Sequence, residues 1–212
     1  MKKCIALLLA LLMAAFAIPA CAETLEIVPG TPAQCPIDEF KNWFNLSITS
    51  SGYDYNFEWD SDPVSEDGFD VYTAKMENGP EMKVYTVGGN VSHVIGTHTG
   101  TFSATDTSSA TKFGECLGAV LGGGCSGLAI CELGVDELKK VAANFQSEIT
   151  PLLTTLVGGF TSADKLAEGV AGTATGMGYP VGLDLVGSVS GTDITLTMRI
   201  IITSKDGQLN IK

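Results

Sequence analysis

The chain has 212 residues, with 12 basic and 24 acidic side chains and a formal charge of −12. It has no cluster of Lys or Arg, and so acidic a chain is unsuited to nucleic acid or to anionic membrane surfaces. Its 25 glycines and its 17% of charged residues suit a sheet-rich, turn-rich extracellular protein.

The segment from Met1 to Ala22 reads as an export signal. Lys2 and Lys3 open it, and Ile5 to Phe16 is almost unbroken apolar sequence. Pro19 then breaks the run, and Ala20-Cys21-Ala22 offers the small-x-small pattern cut by signal peptidase. Ile18-Pro19-Ala20-Cys21 also resembles a bacterial lipobox, which would make Cys21 a lipid anchor. Pro19 suits the position before a peptidase cut better than it suits a lipobox, so cleavage after Ala22 is expected. The apolar run is too short to span a bilayer, and no second such run follows. The removed segment holds two lysines and no acid, so the exported chain, Glu23 to Lys212, carries a charge of −14. That length supports one domain, with a possible junction of two small subdomains at 105–109.

Cleavage also removes Cys4 and Cys21. Cys35, Cys116, Cys125 and Cys131 remain, an even number that predicts two disulfides in an exported chain. The pairing is open. Cys125 with Cys131 would leave Cys35 with Cys116, and Cys116 with Cys131 would tie two neighbouring helices.

Residues 23–36 are polar and hold three prolines, which predicts an extended lead. A helix follows. Pro36 stands at its first turn, Asp38 and Glu39 suit its positive start, and Phe40, Trp43 and Phe44 supply an apolar stripe. Ser50-Ser51-Gly52 ends it. In residues 53–60 aromatic side chains alternate with acids and amides. A strand there puts Tyr53, Tyr55, Phe57 and Trp59 on one face, either as core under a helix or as an exposed platform for a sugar ring. The core reading is the favoured one.

Phe69 to Met76, Glu81 to Val87 and Val91 to Thr97 read as a meander, with turns at Glu77-Asn78-Gly79-Pro80 and Gly88-Gly89-Asn90. The Ser/Thr-rich stretch Thr99 to Ser109 reads as a loop or a ragged edge strand. Phe113, Cys116, Leu117, Val120 and Leu121 then share a helical face that Gly122-Gly123-Gly124 is expected to stop. A second helix is expected after Asp136, interrupted at Pro151. Tyr179 to Val186 and Asp193 to Thr203 close the chain as a hairpin. Ile194, Leu196, Met198, Ile200 and Ile202 share its covered face, and Asp193, Thr195, Thr197, Arg199 and Thr203 its wet face. Residues 37–212 therefore read as one α+β domain: an antiparallel sheet of about six strands with helices on one face.

Chemistry is thinly signalled. His93 and His98 are the only histidines, and their odd spacing in a strand sends them to opposite faces. Ser126 lacks the second glycine of a nucleophile elbow, and no glycine motif has the spacing for a dinucleotide. Asp60, Asp62, Glu66 and Asp67 lie in an acidic loop that reads as solvated surface, with a weak calcium site as its sharper reading. No catalytic residue and no cofactor is assigned. The expectation is a secreted or periplasmic, disulfide-stabilised binding domain without catalysis, whose ligand is a protein or a glycan. It would bind through the wet face of the sheet or through the loops Asp60 to Gly68 and Gly122 to Gly127. An envelope-associated structural protein is the alternative, and a carboxylate-based hydrolase a more distant one.

Overall fold

The computed structural model describes residues 25–50, 55–103, 113, 116, 119–132, 134, 179–190 and 193–211. The export segment with Cys21, the aromatic Tyr53, the 105–109 junction, and the helix expected after Asp136 with Pro151 all lie outside them.

Nine strands are found among the described residues. They are β1 (Leu25–Val28), β2 (Glu58–Trp59), β3 (Val64–Glu66), β4 (Phe69–Lys75), β5 (Glu81–Val87), β6 (Asn90–Ser103), β7 (Val181–Ser190), β8 (Asp193–Thr203) and β9 (Gln208–Ile211). Helix α1 spans Ile37–Ser50, and the helical residues 119–132 form α2. Seven strands make an antiparallel sheet in the order β2-β4-β5-β6-β8-β7, with β3 also paired to β4. Strands β1 and β9 make a separate two-stranded ribbon. The fold is α+β with an antiparallel sheet.

Turn chemistry sets the meander. Asp67 and Gly68 both have positive φ, as do Gly88 and Gly89. Two such residues in succession match the right-handed twist of the flanking strands in a tight hairpin. The second hairpin also anchors α1. Ile37 N–H donates to the Gly89 carbonyl at 3.0 Å, and Val91 N–H to the Cys35 carbonyl at 2.9 Å. The chain thus enters α1 already paired with the β5–β6 turn. Ile37, Phe40, Phe44 and Ile48 then bury one stripe of the helix, while Trp43 stays half-buried.

The sheet face under the helices carries Ala74, Met82, Val84, Val94, Leu196, Met198, Ile200 and Ile202, all nearly inaccessible. The register places Val84 beside Val94, and Val94 beside Ile202. This is the covered face expected from the alternation in β8. Strand β6 is twice the expected length, because Thr99 to Ser103 continues it and pairs with Asp193 to Thr197.

Three expectations are corrected. Among the described residues of the aromatic stretch, only Glu58–Trp59 is a strand, paired with Ala74 and Lys75. Gly122-Gly123-Gly124 does not stop a helix, since α2 runs through it. The reason is packing. A Cβ on Gly123 would lie 2.7 Å from Phe44 and 2.9 Å from Ile48, one on Gly124 would lie 2.7 Å from Ile202, and one on Gly127 would lie 3.0 Å from Phe40. These three glycines are where α2 touches α1 and β8.

The third correction is to the number of disulfides, one in place of two among the described residues. The bridge is Cys35–Cys131, with Cα atoms 5.2 Å apart and a sequence separation of 96. Cys125 and Cys131 share the continuous α2. Six residues of helix rise about 9 Å, beyond the roughly 7 Å reach of a disulfide, and Cys116 lies farther back in a helical position. Cys116 and Cys125 are buried outside the bridge. Closing so long a loop removes about 4–5 kcal/mol of unfolded-chain entropy on a simple chain model.

The glycines of α2 give opposite predictions. Gly122 is exposed, and nothing lies within 4 Å of the place a Cβ would take. Gly122→Ala should therefore stabilise by about 0.5–1 kcal/mol through helix propensity. Gly123→Ala must push Phe44 and Ile48 aside and should destabilise by about 1–3 kcal/mol. Urea denaturation of the two variants checks the sign of each.

Candidate binding face

The aromatic positions go mostly inward. Phe57 is 6% exposed, and its ring lies 5.1 Å from Phe44 in an edge-to-face contact. Trp59 packs edge-on to Phe44 and Phe40 at 6.0 and 6.5 Å. Its indole N–H donates to Asn45 at 3.3 Å. Tyr55 is partly buried against the same core. The Lys41 ammonium lies over both Trp59 and Tyr72, 5.2 and 4.3 Å from the ring centres. The chain's own groups therefore occupy this aromatic cluster.

The acidic loop becomes the β3–β4 hairpin and the turn before it. Asp60, Asp62, Glu66 and Asp67 are all exposed. Ser61 donates to Asp62 at 3.0 Å, and Lys83 approaches Glu66 at 3.4 Å. Among the described residues no three His, Cys, Asp or Glu side chains group as metal ligands. The expected loop Gly122 to Gly127 is helix, its buried glycines spent on packing.

The second sheet face divides into three zones. In the first, the β1–β9 ribbon covers Gly182 and Ile201. Leu25 and Leu209 lie so near Gly182 that a Cβ there would be 2.5 and 2.9 Å from them, and Ile201 is fully buried. Arg199, the only arginine of the chain, fastens this ribbon. Its Nε donates to Asp184 at 2.7 Å, and an Nη donates to the Leu25 carbonyl at 2.8 Å. Asp184 in turn accepts the Leu25 N–H at 3.2 Å.

The second zone is aromatic. Tyr85 stacks on His93 at 4.3 Å, and Phe69 meets His93 edge-on at 5.1 Å. His93 is 4% exposed, with Nδ1 3.2 Å from the Ser92 hydroxyl. Burial pushes its pKa down to about 4. Burial and the Glu66 carboxylate push the Tyr85 phenol up. Both groups are neutral near pH 7.

The third zone stays open. On β6 and β8, Thr99 faces Thr197 and Thr101 faces Thr195, each hydroxyl pair bonded at 2.9 Å. On β7, Val186 and Ser188 extend these two rows. Thr99, Thr101, Val186 and Ser188 are exposed, while Thr195 and Thr197 are half-buried. The two rows contain no charged side chain. The pairing of Thr195 and Thr197 with the Ser/Thr-rich stretch is not evident from either segment alone. Its one local signal is the T-x-T-x-T period of Thr97, Thr99 and Thr101, which continues the alternation of β6.

His98 lies on the helix side, as the odd spacing requires. Its ring stacks on Phe113 at 4.9 Å. Burial lowers its pKa, and a hydrogen bond donated to the Gly79 carbonyl opposes that shift. His98 and Cys116 line one shallow cleft with Pro80, Val120, Met198 and Ile200, with a cavity volume of about 10 Å³. Ligand pockets usually hold about 300–1,000 Å³, so this cleft is undersized for a substrate. At the far end of α2, the Tyr179 hydroxyl donates to Glu132 at 2.5 Å, and Lys205 approaches Glu132 at 3.3 Å. Burial, followed by Glu132, raises the Tyr179 phenol further. That cluster joins α2 to the strands.

No protein family, curated protein or solved structure matches the chain.

The buried His93 predicts acid sensitivity. Its folded pKa lies below the value of about 6.5 in the unfolded chain. Stability is therefore intact above pH 6.5 and falls as the pH drops towards 4, because the unfolded chain takes up the proton first. The loss is on the order of 3 kcal/mol. In chemical denaturation at stepped pH, His93→Phe should flatten the slope in this window, and an unchanged slope would refute the assignment.

Proposed function

We propose that this chain is a secreted, disulfide-stabilised domain that binds a partner protein and carries out no reaction. The observation that carries this reading is the pair of exposed hydroxyl rows, Thr99–Thr197 and Thr101–Thr195. Each threonine already shares a hydrogen bond with its neighbour, so covering the rows strands few polar groups. Their methyl groups supply apolar area, and no charge must be desolvated. A flat, uncharged surface of this kind on a stiff sheet suits a flat protein face better than a sugar ring. Of the rings that would stack on a sugar, Tyr55, Phe57 and Trp59 are packed against the core instead.

Export is part of the same reading. It is supported by the signal-like segment Met1 to Ala22 and by the Cys35–Cys131 disulfide. Among the described residues no helix is long and apolar enough to cross a membrane. The same support fits either the extracellular space or a periplasm.

The test is affinity capture from envelope and culture fractions, with the exported chain as bait beside its Thr99→Lys/Thr197→Lys variant. Thr99 is exposed and Thr197 half-buried on the uncovered part of the sheet, so the variant should keep the wild-type circular dichroism and melting curve. Proteins retained by the wild type and lost with the double variant support the reading. Identical captured sets for the two baits would refute it.

A further inference from the structure

The two ends of the main sheet are built differently. At one end β2 and β3 have two and three residues, and short edge strands are a common protection against unwanted pairing. At the other end stands β7, with ten residues in unbroken register against β8. No described strand pairs with its outer side. Its sequence, VGLDLVGSVS, has no proline and no lysine, and its ladder has no bulge. Those are the usual devices that blunt an exposed edge.

The only charge on β7 is Asp184, and it is already committed to Arg199 and to the Leu25 N–H. Val186, in the middle of the strand, is 51% exposed. Its register neighbour on one side is Thr197, and on its other side no described strand is paired.

We infer that β7 pairs antiparallel with the β7 of a second copy of this chain, joining two sheets into one across a two-fold axis near Val186. In that register each Val186 meets its own symmetry mate, which removes exposed apolar surface at the centre of the contact. Asp184 falls opposite Ser188 of the other copy, a carboxylate opposite a hydroxyl donor. No like charges face each other, so the chain's net charge of −12 is not concentrated at the join. The main-chain groups of the edge supply the hydrogen bonds. A strand that complements itself also gives a closed two-fold dimer that adds no further copies. The inference goes beyond the proposed function, because it concerns the edge of the sheet and not its threonine face.

Light scattering coupled to size-exclusion chromatography tests it on the exported chain over a concentration series. The wild type should shift from one to two chain masses as concentration rises. Val186→Lys should weaken the dimer by about tenfold or more, since it sets like charges directly across the pair. At concentrations where the wild type is a single chain, its melting temperature should match that of the wild type, because the side chain then faces solvent. Thr99→Lys/Thr197→Lys should still dimerise, which separates this inference from the binding role of the threonine face. A wild type that stays monomeric at every concentration would overturn the inference. So would a dimer that Val186→Lys leaves intact.

Discussion

The close approach of α2 to its neighbours is the constraint on which the rest of the molecule depends. Glycine allows that approach from both sides. Gly123, Gly124 and Gly127 admit Phe44, Ile48, Ile202 and Phe40 from α1 and β8. From below, Gly96 and Gly100 of β6 make room for Val120 and Phe113. With the helix seated this low, Cys131 comes within bonding reach of Cys35. Glu132 likewise reaches the Tyr179 hydroxyl. A bulkier helix would ride higher and lose both connections. Glycine in a helix interior costs about 1 kcal/mol relative to alanine, and the dense contact with four large side chains offsets that cost.

The same economy shapes the surface. One face of the sheet is consumed by the two helices. The other is divided among the ribbon held by Arg199, the Phe69–Tyr85–His93 stack, and the threonine rows. Among the described residues the threonine rows are covered by neither the ribbon nor the stack, and they sit between the ribbon and the open end of β6. Burial pushes His93, His98, Tyr85, Cys125 and Tyr179 toward their neutral forms. Perturbed groups mark reactive sites when they share a cleft with a partner charge. Here His93 is sandwiched between rings and Tyr179 is capped by Glu132, so both act as packing.

Much of the fold was legible from periodicity. The alternation in β8 named the covered face, and the apolar stripe of α1 appeared with its first-turn acids. The turn at Gly88-Gly89 was also readable. The failures share a physical origin. A triple glycine signals a helix end when local propensity decides, yet here tertiary contact with Phe44 and Ile202 decides. The disulfide pairing stayed open for the same reason, since it depended on which cysteines share one helix. β1 and β9 gave no local signal. Four-residue strands are too short for periodicity, and each is specified only by the other. The threonine rows needed the β6–β8 register, which no single strand contains.

That ribbon has a consequence for the order in which the molecule can assemble. β1 and β9 stand at opposite ends of the described chain, so their pairing closes the longest loop in the fold. Such a closure is entropically unfavourable until the intervening sheet has formed. The guanidinium that locks it sits on β8, only a few residues before β9. A chain emerging from its amino terminus would therefore hold Leu25 without a mate until almost all of it had been delivered. Until then Gly182 and Ile201 would lack their cover. The last described strand to arrive is the one that seals the first described.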